Sequence, residues 1–456
     1  MARGRAAGGR HAGAGLGAAI LLTGLSPLAA ATGFFLNQQS VQGLGRADAG
    51  NAVAATDAST VYYNPAGLPL LWQNADARGS DTLFALGAQG IFPTANHSNA
   101  GSTAKTFATG GAPVAYTGNN VSDPTDPVAV PNFFAAHRLG GGDGYLGLGV
   151  TSPFGLSANY GNAWFGRYDS TEVSLRTVNV ALVGAWRLTP SFSIGGGLDA
   201  QYARAKLAQA IPNPLTAGGP SAATDGRVEN KGTAWTPGFN IGFLWQADEA
   251  TRLGLHYRSE VRHKLGGTVV TSGLTGALAA GNGAVGAGTT LKLPAVVTAG
   301  ASRRIGGKLT LYGEVDWYGW GVLNELRVHF DNGTPDAVRV DNYRNTFAYA
   351  VGAEYAHSPA LTLRGGVQFD FTLTVQATRD TTFPDANRLV FAAGASVELA
   401  KRTYLDLAGN YVKFRTVAIG VTHTFFDGTA LASSATINDI ATPHINTFSA
   451  QLRYAF

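Results

Sequence analysis

Residues 361–375 constrain the fold more than any other stretch of this chain. Leu361, Leu363, Val367, Phe369, Phe371, Leu373 and Val375 fall on one parity, and Thr362, Arg364, Gln368, Asp370, Thr372 and Thr374 on the other. A period of two puts these sets on opposite faces of a strand. The same arrangement returns at Phe239, Ile241, Phe243 and Trp245, at Leu309, Leu311, Val315 and Trp317, and at Phe347, Tyr349, Val351 and Tyr355. One face suits hydrocarbon and the other a polar interior. No apolar stretch after residue 31 reaches the roughly 20 residues that a membrane helix needs.

Alternation alone also fits a soluble sandwich, in which the apolar face packs inward. Three further observations favour a membrane barrel. The expected strands run near ten residues or more, longer than the usual five or six. The turns at 140–143, 189–190, 248–250, 306–307, 358–359 and 401–402 are short, whereas the connections between them run to about twenty residues, an asymmetry typical of outer-membrane barrels. Finally, Phe448, Ala450, Leu452, Tyr454 and Phe456 alternate with polar residues to the end of the sequence, which resembles the assembly signal of Gram-negative outer-membrane barrels. The barrel-assembly machinery is therefore an expected partner during biogenesis.

The expected strands are 82–93, 131–139, 144–152, 173–188, 191–207, 233–247, 251–265, 291–305, 308–330, 338–357, 360–375, 385–400, 402–426 and 444–456. Fourteen is an even number, as closure with both ends in the periplasm requires. Closure also leaves no unpaired edge in lipid. The fold class expected is all-β, a 14-stranded antiparallel transmembrane barrel, monomeric in outer-membrane lipid.

Upstream of the strands, Arg3, Arg5 and Arg10 precede an apolar run over 14–25 and the small residues Ala29, Ala30 and Ala31. This is the pattern of a signal peptide over 1–31. Residues 32–80 then lack the period of two, are rich in Ala and Gly, and form a candidate plug for a barrel over 81–456. Several function classes are disfavoured. With Cys absent, disulfides and thiolate chemistry drop out. A net charge of +4 without a basic run offers no nucleic-acid footprint. There is no G-x-S-x-G and no evident Ser/His pair for a lipid enzyme. The G-x-G-x-x-G matches at 142–147 and 281–286 neither follow a strand nor open a helix, so they are chance. No catalytic, metal or cofactor site is expected, and an open general porin does not suit the plug-like segment.

Gly33-Phe34-Phe35-Leu36-Asn37-Gln38-Gln39-Ser40, Gly43-Leu44-Gly45-Arg46-Ala47, Asp57-Ala58-Ser59-Thr60 and Asn64-Pro65-Ala66 resemble the N-terminal hatch of the FadL-type long-chain fatty-acid transporter family. The likeness continues through Ser152-Pro153-Phe154-Gly155-Leu156 and 201–206 into the last strand. It implies passive uptake of hydrophobic molecules, fatty acids or alternatively aromatic hydrocarbons, through a lumen blocked by the hatch. The ligand is captured in a groove between loops, passes to a pocket lined by Phe34, and leaves sideways where the third strand kinks. By the same resemblance Asn64, Pro65 and Ala66 form a hatch motif beside that kink, and Gly147, Gly149 and Pro153 fall where the strand should bend.

The residues themselves support this to different degrees. Pro65 enforces a turn after Asn64. Gly147 and Gly149 weaken a strand interior, and Pro153 cannot donate to a ladder. Two expected loops, 208–232 and 266–290, are unusually apolar, which marks either an interaction site or loops that cover one another. Arg204 and Lys206 could bind a ligand carboxylate, but their parity is that of the lipid face, so either a bulge reverses the phase or the strand has risen past the hydrocarbon. Arg258, Glu314, Asp316, Glu354, Arg364, Asp370, Arg388, Glu398, Arg453 and His256 share the lumen parity and read as a structural network holding the hatch.

Overall fold

The computed structural model describes residues 34–73, 79–125, 127–140 and 142–456; the expected signal peptide lies outside them. The barrel has fourteen strands: β1 Thr82–Asn99, β2 Val128–Arg138, β3 Gly144–Thr151 continued by Gly155–Asn159, β4 Glu172–Thr189, β5 Phe192–Ile211, β6 Gly226–Gln246, β7 Thr251–Arg258 with Val261–Ser272, and β8 Gly283–Leu293 with Val296–Ile305. They are followed by β9 Leu309–Tyr318 with Glu325–Phe330, β10 Ala337–Val340 with Thr346–Ser358, β11 Leu361–Asp370, β12 Arg388–Ala400, β13 Thr403–Phe414 with Val417–Phe425, and β14 Ser433–Ala455. Every neighbouring pair is antiparallel. β14 returns to β1 in unbroken register from Leu83↔Ala455 to Asn99↔Asp439, which closes the sheet. The expected strand number and closure are both borne out.

The period of two sorts the wall as expected. Leu311, Phe347, Tyr349, Val351, Leu363 and Val367 face outward and are exposed, while Glu314, Asp316, Glu354 and Asp370 are buried inside. Several boundaries differ. β1 and β14 extend well beyond their expected ends, and because β5, β6, β7 and β8 do so too, the expected loops 208–232 and 266–290 shrink to 212–225 and 273–282. The expected strands over 308–330, 338–357 and 402–426 are each interrupted. The strand over 360–375 stops at Asp370, and Leu373 turns into the core with no exposed surface; alternation in sequence continued past the last ladder bond.

Inside the wall, residues 34–73 fold without a sheet of their own. Ser40 accepts a hydrogen bond from Gly43 N–H and caps α1 (Val41–Gly45). α2 (Thr60–Tyr63) ends at Asn64, which caps a short 3-10 turn, Pro65–Gly67, that leads into α3 (Leu68–Leu71). Pro65 stands at the first position of its turn, where its missing N–H costs nothing. Nearly all of this segment is buried.

Candidate functional site

The wall is interrupted in β3. Between Thr151 and Gly155 the strand leaves its ladder, and Pro153 has no N–H to contribute. The lost pairing is supplied from inside by the start of the hatch. Leu36 N–H donates to Pro153 O at 2.7 Å, Gly155 N–H donates to Phe34 O at 3.0 Å, and Phe35 bridges Phe154 in antiparallel fashion. The Gln39 side chain completes the seal: Ser152 N–H donates to Gln39 Oε1 and Gln39 Nε2 donates to Ser152 O, both at 3.1 Å. On the opposite side, Thr177 Oγ1 accepts from Phe154 N–H at 2.9 Å. The break itself is therefore the three residues Ser152, Pro153 and Phe154. Gly147 and Gly149 stay in register with both β2 and β4, so they do not form the bend. Gly147 serves close packing instead: a Cβ there would stand 2.4 Å from Cγ2 of Val61 on α2.

Phe34 is fully buried at this break. Its ring lies 4.8 Å from Trp320 and 6.0 Å from Phe154, and Phe35 packs on Phe154 and Tyr318. Trp320 sits in the interruption of β9, and its ring also meets Tyr343 in the interruption of β10. From this aromatic floor one apolar cluster runs upward through Leu326, Val328, Leu265 and Val269 to Ile211, Leu274 and Leu278 under the loops. A small crevice opens within it, lined by Ala205, Leu207, Leu265, Val269, Leu326 and Val328. Leu274 and Leu278 in the second of the two loops are buried, so that loop covers the interior, whereas Leu215 in the first is exposed.

Asn64-Pro65-Ala66 is not beside the β3 break. It docks on β5 and β6: Asn64 Nδ2 donates to Ala52 O at 2.8 Å and to Phe243 O at 3.1 Å, and Ser193 Oγ donates to Ala66 O. The wall must be bare there, because a Cβ at Gly242 would stand 2.0 Å from Asn64 Oδ1, and one at Gly195 would stand 2.5 Å from the Pro65 carbonyl carbon. The connection to the break is one residue earlier. Tyr63 OH accepts from Gln39 N–H at 2.7 Å and donates to Asn37 O at 2.8 Å, so the motif's neighbour holds the arm that seals β3.

Below this level the lumen is polar. Arg46 pairs with Glu354, Arg364 reaches the same carboxylate at 2.7 Å, and Arg364 Nη1 donates to Ser396. Ser396 donates to Asp406, which also holds Arg453 at 2.7 Å. Gln42 and Asp57 extend this network into the hatch through Asp406 and Gln451. Arg258 pairs with Asp199 at 3.1 Å, donates to Tyr62 O, and lies over the Tyr62 ring. Of the expected inward charges, Arg258, Glu314 and Glu354 thus hold the hatch directly and Arg364 and Arg453 support them, whereas Arg388 pairs with Asp370 and Asp385 in the wall. Arg46, Asp199 and Asp406 were missed because they lie in unpatterned sequence or on strands dominated by small residues.

Arg204 and Lys206 do not reach the lumen. β5 keeps an unbroken register with β4 and β6 through both positions, so no bulge reverses their phase. Arg204 is exposed on the outer face, and Lys206 is tied to Glu172 at 2.7 Å and Glu229 at 3.3 Å. The loops above are held by other cations. Arg167 is buried among Asp225 at 2.8 Å, Thr117 O at 2.7 Å and the Tyr116 and Tyr168 rings. Burial raises the Asp225 carboxyl above its ordinary range despite that guanidinium. Asp169 shifts the other way. Burial would raise it, but His423 at 2.8 Å, the charge of Arg339, and Thr381 hold it well below the usual carboxylate range.

Residues 22–456 match the family described as outer membrane protein transport protein (OMPP1/FadL/TodX). The chain belongs to this family. It is an outer-membrane barrel, and it is 27% identical to the long-chain fatty acid transport protein of Escherichia coli O6:H1, over 86% of this chain and 90% of the relative. It is 28% identical to outer membrane protein P1 of Haemophilus influenzae, over 97% of this chain and 98% of the relative. Among solved structures it is similar in fold to a Pseudomonas aeruginosa FadL homologue, with a TM-score of 0.79 at 19% identity, covering 93% of this chain and 99% of that one. It is also similar in fold to the toluene transporter TbuX of Ralstonia pickettii, with a TM-score of 0.62 at 19% identity, covering 91% and 100%.

Proposed function

We propose that this FadL-family barrel takes up long-chain fatty acids passively, and that the ligand descends the apolar interior to Phe34 and leaves sideways through the break in β3. The observation that carries this reading is the meeting of three features at one place: the lower end of the apolar column, the aromatic floor of Phe34, Trp320 and Phe154, and the Ser152–Phe154 interruption closed from inside by Phe34, Leu36 and Gln39. A ligand that occupies the floor competes with the Phe34 ring. Displacing Phe34 pulls on the arm whose backbone closes the wall, and this couples binding to opening without an energy source. Hydrocarbon release into the outer leaflet is favourable in proportion to the apolar area kept from water. The resemblance of the chain to fatty-acid transport proteins favours an acyl chain. The aromatic character of the floor favours aromatic hydrocarbons as the second reading.

The test is uptake in a strain that lacks its own transporter, offered oleate and, separately, toluene. Oleate uptake that falls at least tenfold in Phe34→Ala, with the folded barrel present in normal amount, is expected. Uptake of neither compound by a correctly inserted barrel would sink the transport reading. Uptake of toluene alone would move the substrate to the second class. Replacing Asn64-Pro65-Ala66 with three alanines is expected to alter uptake through Tyr63 and the sealing arm; unchanged uptake would leave the motif a docking element for β5 and β6.

A further inference from the structure

The outer face of β4 and β5 carries a pair of positive charges with no acidic counterpart among the described residues. Arg176 on β4 and Arg204 on β5 stand directly opposite each other in the ladder, both exposed and facing away from the lumen. Like charges in directly opposed positions destabilise a sheet. One row higher, Lys206 and Lys231 repeat the juxtaposition, but Glu172 and Glu229 bracket them, with Arg227 also joining the two acids. No such acid reaches Arg176 or Arg204: among the described residues neither makes an ion pair or a hydrogen bond.

Their height on the wall identifies what they face. The row directly below contains Tyr202 and Trp235, whose rings lie 5.3 Å apart on the outer surface. Near the other end of β5, Phe192 and Phe243 stack at 6.5 Å, with Trp186 exposed beside them. Between these aromatic rows the outward residues are Ile194, Leu198 and Ala200 on β5 and Val178, Val180 and Leu182 on β4. From Phe192 to Tyr202 the strand rises about 33 Å, or about 25 Å along the membrane normal at a tilt near 40°. That is the height of the apolar band of an outer-membrane barrel. Arg176 and Arg204 then lie about 5 Å above its extracellular edge, at the level of lipid headgroups.

We propose that Arg176 and Arg204 form a binding site for the phosphate of an outer-leaflet lipid headgroup, whose acyl chains lie along the apolar face below. Two guanidinium groups can hold one phosphate through paired N–H···O bonds. The anion removes the cross-strand repulsion that the protein's own carboxylates leave unrelieved. Gly155, the first residue after the break in β3, pairs with Arg176 in the ladder, so the bound lipid stands beside that break. The site does not depend on the transport reading.

The experiment measures lipid binding to the intact barrel in detergent by native mass spectrometry. The probes are diphosphorylated lipid A, its dephosphorylated form with the same acyl chains, and inorganic phosphate. Wild type is expected to hold the diphosphorylated lipid at least tenfold more tightly than the dephosphorylated one. R176Q/R204Q should lose that preference, whereas K231Q should keep it. Equal binding of both lipids by wild type, or an unchanged preference in R176Q/R204Q, would overturn the proposal. Inorganic phosphate that displaces the lipid at equal concentration would also overturn it, since the site would then be one for a free anion. If R176Q/R204Q does not fold, R176K/R204K keeps the charge but loses the paired donors, and an undiminished preference there excludes the two-guanidinium site. Wild-type binding should also weaken as salt rises from 50 to 300 mM; indifference to salt counts against the proposal.

Discussion

Gln39 does with its side chain what a neighbouring strand would do with its backbone. Its amide pairs with both Ser152 N–H and Ser152 O, so one residue supplies two bonds that β3 lost when it left the ladder. At about 0.5–1.5 kcal/mol each, these bonds hold the break shut by about 1–3 kcal/mol. Gln39→Ala should therefore speed exchange of the Ser152 amide by about 5- to 150-fold, while the Leu175 amide in the β4 ladder stays at its wild-type rate. Unchanged exchange at Ser152 would mean that the backbone of Leu36 and Phe34 seals the break alone. A second residue-scale prediction concerns Glu354, which neutralises both Arg46 and Arg364. Glu354→Ala strands two buried cations, whereas Arg46→Ala leaves the Glu354–Arg364 pair intact. Glu354→Ala should be the more costly change, by about 3–5 kcal/mol against wild type, read as the shift in urea unfolding of the folded barrel. Glu354 and Arg364 were legible in the sequence because they sit on regular strands whose period gives their direction. Arg46 and Gln39 were not, since an irregular segment has no period from which to infer where a side chain points.

At the scale of elements, the strands were legible and their interruptions were not. Outward positions meet lipid and must be apolar, so the alternation is strict where the ladder crosses the hydrocarbon. Above it that demand disappears, and the breaks at 319–324 and 341–345 carry no pattern beyond an aromatic residue in each, Trp320 and Tyr343. Those aromatics form the floor of the apolar column, so this part of the proposed ligand path has the weakest sequence mark. The loops give a pH prediction. Asp169 joins the β3–β4 connection to His423 on β13 and to Thr381, and its carboxyl is held below its ordinary range. A carboxylate whose folded value is depressed contributes stability that is fully present above its unfolded value, about 3.9, and is lost as pH falls through the folded one. The contribution of the Asp169 carboxylate should therefore weaken progressively as pH falls below about 4. Fluorescence of Trp164, buried in the same loop and stacked 4.3 Å from Tyr160, is a suitable probe if the other tryptophans are replaced by phenylalanine. Asp169→Asn should abolish the acid transition; a transition that survives it would assign the pH response to another group.

For the molecule as a whole, the barrel and the hatch are separable in energetic terms. The wall is closed by the β1–β14 ladder, which involves no hatch residue, and its outward face is stabilised by lipid. The hatch has no core of its own; it is buried by glycine-bared wall at Gly195 and Gly242 and tied by Arg46, Gln42 and Asp57. An open cleft already reaches Gln42 from the periplasmic side, lined by Glu354, Arg364, Ser396 and Arg453. A variant lacking residues 34–73 should consequently still insert and migrate as a heat-modifiable barrel, because every ladder bond apart from the sealed break remains. Its lower lumen would then be lined by Asp199, Glu314, Glu354, Asp370, Asp406 and their arginines with nothing between them, and water would fill it, since buried charges without partners are far more costly than hydrated ones. In planar bilayers the intact protein should conduct poorly and the deletion variant should show stable, ion-conducting openings. Because the deletion also removes Phe34, uptake of a hydrophobic ligand through the open lumen should not show the tenfold loss expected of Phe34→Ala. A deletion variant that inserts yet stays closed would show that the loops held by Arg167 and Asp169, rather than the hatch, are the barrier to ions.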